Sequence, residues 1–104
     1  MLTGGSYTGL VDQQAVRERL TEMHGRLVRA REELAVTEEH LAALDETAEE
    51  AHVRSLVAES ALADHEWRDA QRSAEAMRRG RDLARARVAE LEKAQNDLLA
   101  KLVV

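Results

Sequence analysis

The chain has 104 residues with a formal charge of −5, enough for one domain. Its 18 Ala, 14 Leu, 14 Glu and 13 Arg, against no Phe, no Pro, one Trp and one Tyr, exclude a thick aromatic core and leave aliphatic stripes between helices as the means of burial. The absence of Cys excludes disulfides and thiolate metal sites and agrees with a reducing cytoplasm, while the negative balance weighs against nonspecific nucleic-acid binding, which draws on phosphate neutralisation.

In chain order, residues 1–11 are rich in Gly, Ser and Thr and read as a flexible segment. The opening "MLTGGSYTGL" lacks the basic start and apolar centre of a signal peptide, and no apolar run later in the chain has the length of a membrane span. The expected location is therefore the cytoplasm, with no membrane partner. Asp12 is the candidate N-cap of a first helix over about 12–58, because its carboxylate can accept an orphan backbone N–H of the first turn. From Val16 the apolar or small residues alternate in steps of four and three: Val16, Leu20, Met23, Leu27, Ala30, Leu34, Thr37, Leu41, Leu44, Ala48 and Ala51. That is a heptad seam, too regular for a strand or a loop. A second seam, on a helix over about 63–102, runs Ala63, Trp67, Ala70, Ala74, Met77, Arg81, Ala84, Val88, Leu91, Gln95, Leu98 and Leu102. Extended backward it reaches Leu56 and Val53, out of phase with the first, and a break of phase is where a hairpin can turn. Arg81 and Gln95 are polar intrusions of the kind that set register.

Three turn sites compete: the capping-box pattern beginning at Thr47, the segment around Ser60, and Gly80 behind Arg78 and Arg79. Charge selects among them. Between Glu32 and Glu50 stand Glu32, Glu33, Glu38, Glu39, Asp45, Glu46, Glu49 and Glu50 without one Lys or Arg, and between Arg68 and Arg87 stand seven arginines against Asp69, Glu75 and Asp82. A reversal near Ser60 makes neighbours of residues whose numbers sum to roughly 120, placing Glu33 near Arg87, Glu39 near Arg81, Glu46 near Arg72 and Glu50 near Arg68. Several such pairs of one sense orient two helices more effectively than they stabilise them. The same reversal sets Leu44 against Met77 and Trp67 against the small Ala51 and Ser55, large opposite small as close packing requires. The expected fold is all-α, a long antiparallel helical hairpin turning near residues 58–64, with Ser60 or Asp64 capping the second helix and Glu59, Asp64 and Glu66 at the tip. Two unbroken helices paired as a rod-like dimer are the competing arrangement.

The stretch "AESALADHEW", followed by "AEAMRRGRDLARARVAELEKAQNDLLAKL", resembles small uncharacterised Ala/Arg-rich coiled-coil proteins of actinobacteria. The chain departs from that group at Ala61, where the loop of the group carries Pro. The resemblance implies a coiled coil and no activity.

Chemistry-bearing motifs are sparse. Glu49-Glu50-Ala51-His52 holds one Glu-x-x-His spacing, whereas a carboxylate di-metal bundle needs two and further inward glutamates. His24, His40, His52 and His65 therefore read as exposed structural residues, and no metal or other cofactor is expected. The serines lack a nucleophile-elbow context, and no Gly-rich strand-to-helix loop is present to hold phosphate. No catalytic residue is assigned, and the protein is not expected to be an enzyme. Arg78, Arg79, Arg81, Arg85 and Arg87 are expected to find their partners in the acidic segment, so nucleic acid is not expected as a ligand. Apolar residues off both seams, Val28, Val36 and Ala43 on the first helix and Ala76 and Leu83 on the second, form a further band wider than two helices can bury. The expected function is a noncatalytic interaction module: a hairpin that dimerises with itself into a four-helix bundle and serves as scaffold or adaptor for a further protein. The alternative rests on a resemblance: a long hairpin ending in Glu59, Asp64 and Glu66 is similar to the coiled-coil fingers of transcription factors that enter the secondary channel of bacterial RNA polymerase, which implies a transcription regulator whose tip carboxylates act on magnesium chemistry.

Overall fold

The computed structural model describes residues 2–102, with side chains described from Asp12 to Leu102. Two helices account for nearly all of it: α1, Leu2–Ala58, and α2, Ala61–Leu99. Together they form a helical hairpin. α1 starts at Leu2 rather than at Asp12, so Asp12 lies inside a continuous helix and caps nothing. The side chains of residues 2–11 lie outside the described residues. α2 starts at Ala61 and ends at Leu99, with Ala100 and Lys101 closing in a turn through Lys101 N–H to the Leu98 carbonyl.

The reversal takes two residues, Glu59 and Ser60. Glu59 adopts a left-handed backbone conformation, φ 49°, and its N–H donates to the Ser55 carbonyl at 3.2 Å, terminating α1. Glycine normally occupies this position after a helix because it has no Cβ to crowd the following carbonyl. Ser60 is the N-cap of α2. Its Oγ accepts the Ala63 N–H at 3.1 Å, and its carbonyl accepts the Asp64 N–H at 3.1 Å. Asp64 instead sits in the first turn, where a carboxylate complements the helix dipole. Neither competing turn site is one. Thr47 donates its hydroxyl to the Ala43 carbonyl within α1, and Gly80 lies within α2.

The two helices contribute to two compact units, Met1–Arg31 with Arg87–Val104, and Glu32–Ala86. In the first, Leu27 and Ala30 of α1 and Val88 and Leu98 of α2 are buried, with Val16, Leu20, Met23, Leu91 and Gln95 half-buried. Gln13 donates to the Lys101 carbonyl at 3.1 Å, and Arg31 meets Glu92 at 3.4 Å. In the second, Leu41, Ala51 and Ser55 are buried with Ala63 and Ala74, while Leu34, Thr37, Leu44, Ala48, Trp67, Ala70, Met77, Arg81 and Ala84 are half-buried. Every position of both expected seams is thus at least half withdrawn from water. Two polar side chains facing the partner helix bond within their own helix. Thr37 donates to the Glu33 carbonyl at 2.8 Å and Ser55 to the His52 carbonyl at 2.7 Å, each using a backbone oxygen of its own helix. Among the described residues no buried side-chain N or O lacks a hydrogen-bond partner.

The ion pairs between the helices differ from those expected. Asp45 pairs with Arg78 at 2.6 Å and Glu38 with Arg85 at 3.9 Å, so the acidic and arginine-rich segments do meet, but through other members. Arg81 turns to its neighbour Asp82, Arg72 to Asp69 one turn away, and Arg68 donates to the Asp64 carbonyl. Among the described residues Glu39, Glu46 and Glu50 make no ion pair within 4 Å. An arginine on a flank chooses among several acids within reach, and partners on its own helix compete on equal terms.

Candidate interaction surface

With the seams buried, the large apolar side chains left in water are the candidates for binding. Val36 and Leu83 in the central and tip unit are 51% and 74% exposed, and Ala43 and Ala76 of the same unit are exposed as well. Val28, in the other unit, is exposed at the margin. These are the five residues singled out from the sequence. All five are exposed because their helical positions fall off both seams.

A second exposed group was not singled out in the sequence. Val53, Leu56, Val57 and Leu62, next to the turn, are 60%, 65%, 80% and 68% exposed. Val53 and Leu56 fit the backward extension of the second seam, which suggests burial, but the chain turns before that extension can be used. The signal available was the absence of any large residue on the true seam there: Ala51, Ser55 and Ala63 carry it to the turn. Glu59, Asp64 and Glu66 are exposed at the turn as expected.

His52 departs from expectation. It is half-buried and stacks on Trp67, with ring centroids 4.1 Å apart and planes 12° from parallel. His24, His40 and His65 are exposed, the last within 3.2 Å of Asp69. The His52 and Trp67 rings form part of the wall of a groove of about 430 Å³ that Asp45, Glu49, Glu75 and Arg78 also line. Arg78 already engages Asp45 there. Among the described residues no three His, Asp or Glu side chains are grouped so as to hold a metal ion. No helix among them is long and apolar enough to cross a membrane.

No protein-family model, curated protein or solved structure matches the chain. The class defined by fold and surface is a helical hairpin with apolar side chains presented outward, and function has to be argued from that surface.

Proposed function

We propose that the protein is a noncatalytic coiled-coil interaction module of the cytoplasm, which self-associates through Val28, Val36, Ala43, Ala76 and Leu83 and serves as scaffold or adaptor for another protein. The observation that carries this reading is the exposure of Val36 and Leu83 on helices whose seams are already filled. Large apolar side chains left in water on a helix whose seam is filled are candidates for an interface. A second copy is the simplest cover. It brings the same surface to itself around a two-fold axis and completes four helices around one core.

Equilibrium sedimentation at micromolar concentration tests it. The expected mass is that of a dimer, and Val36→Glu with Leu83→Glu is expected to give a helical monomer, because two buried unpaired carboxylates per protomer oppose association. A wild-type monomer overturns the self-association.

The second reading, regulation at the RNA polymerase secondary channel, draws on the exposed carboxylates of Glu59, Asp64 and Glu66. The apolar Val57 and Leu62 beside them favour a protein surface over a magnesium site, since hard cations select oxygen ligands. Retention of polymerase on the immobilised protein, lost when the three acids are neutralised, is the result that would favour this second reading.

A further inference from the structure

At the turn the chain places its large apolar side chains outside and its small ones inside. Ala51, Ser55 and Ala63 are buried, whereas Val53, Leu56, Val57 and Leu62 each have more than half of their surface in water. All four fall off the buried seam that Ala51, Ser55 and Ala63 carry to the turn. Val53, Val57 and Leu62 line a shallow groove of about 360 Å³ together with Arg54 and Glu66. That space accommodates a large apolar side chain, the usual anchor of a protein–protein contact.

The groove itself carries one base, Arg54, and one acid, Glu66, while acids outnumber bases along the turn as a whole. Glu59, Asp64 and Glu66 are exposed, and among the described residues none of them makes an ion pair within 4 Å, while the bases beside them are Arg54 and Arg68, the latter donating to the Asp64 carbonyl. The last turn of α1 carries no basic residue either. We propose that the tip of the hairpin is a docking surface for a basic amphipathic segment of another protein, with an aliphatic or aromatic anchor in the groove and flanking Lys or Arg side chains on Glu59, Asp64 and Glu66. A second copy of this chain suits the surface less well than a basic segment, because two tips face to face would set six carboxylates against four arginines and leave acid in excess. This surface is separate from the one assigned to self-association, so either assignment can fail alone.

The test uses the full chain and a labelled synthetic peptide of about four helical turns, with Leu along one face and Lys on its flanks, read by fluorescence anisotropy at physiological salt. The control is the same peptide with Glu in place of Lys. The Leu/Lys peptide is expected to bind and the Leu/Glu peptide not to. Val57→Ser with Leu62→Ser is expected to weaken binding about tenfold or more, and Glu59→Gln with Asp64→Asn and Glu66→Gln to weaken it severalfold and flatten its salt dependence. All these positions are exposed, so helicity by circular dichroism should not change. Binding of the Leu/Lys peptide that ignores the tip substitutions, or equal binding of the Leu/Glu peptide, overturns the proposal. So does loss of self-association in Val57→Ser with Leu62→Ser, which would assign the patch to a second copy. Flotation of the protein with phosphatidylcholine vesicles, abolished by that same variant, would assign it to a lipid surface instead.

Discussion

Glu59 is where a residue's own conformational preference and the fold disagree. Its φ of 49° places a side chain with a Cβ in the left-handed region, which costs on the order of 1 to 2 kcal/mol relative to the right-handed helical conformation. Glu59→Gly is therefore expected to stabilise the protein by about 1 kcal/mol. In a chain of this size that raises Tm by roughly 4 to 8 °C. Thermal and denaturant unfolding check it, and a lowered Tm would mean that the Glu59 side chain has a stabilising contact outweighing the strain. Because neither Gly nor Pro marks the turn, the sequence placed it only within 58–64, and the cap remained open between Ser60 and Asp64. Ser60 serves because its short side chain reaches the Ala63 N–H at 3.1 Å. The His52 and Trp67 stack was not legible at all. Heptad arithmetic assigns residues to a seam or off it, and two rings that meet at its flank do so through rotamers that spacing does not encode.

At the scale of the helix, Gly80 interrupts an otherwise favourable sequence without structural need. A Cβ built there meets nothing within 4 Å, so Gly80→Ala removes the backbone-entropy cost of glycine with no steric penalty. It is expected to add about 0.8 to 1 kcal/mol to the unfolding free energy. An unchanged or lower value would show that close approach in the assembled protein requires glycine. Between helices, the seams were legible position by position because a heptad leaves one way to bury them, but the charged pairs were not. Arg31 with Glu92, Glu38 with Arg85 and Asp45 with Arg78 have numbers summing to 123 rather than 120. A shift of three residues is close to one helical turn, within the reach of an arginine side chain. A double-mutant cycle should distinguish the two pairings. Asp45→Ala and Arg78→Ala are expected to couple by about 0.2 to 1 kcal/mol, the range for half-exposed pairs screened by solvent. Glu46→Ala and Arg72→Ala should be additive within error, and the opposite ranking would restore the pairing read from the sequence.

For the whole molecule, the proposed dimer makes stability depend on concentration. If folding and association are one transition, each tenfold increase in protein concentration contributes about 1.4 kcal/mol per mole of dimer, and Tm should rise by a few degrees for the wild type. The variant with Val36→Glu and Leu83→Glu should show no such dependence, and a wild-type Tm that ignores concentration would argue for a folded monomer. The exposure of Val36 and Leu83 was legible because both positions fall off the seams. The patch at Val57 and Leu62 was not, because recognising it requires knowing at which residue the chain reverses. The two-residue turn also bears on the order in which the molecule forms. Contacts next to it close short loops, Asp45 with Arg78 spans 33 residues and Gln13 with Lys101 spans 88, and the entropy lost on closing a loop grows with its length. Folding can then start at Glu59 and Ser60 and zip outward, each new turn of helix shortening the loop left to close. The most distant contacts are reached on that route through a series of short closures rather than one long one.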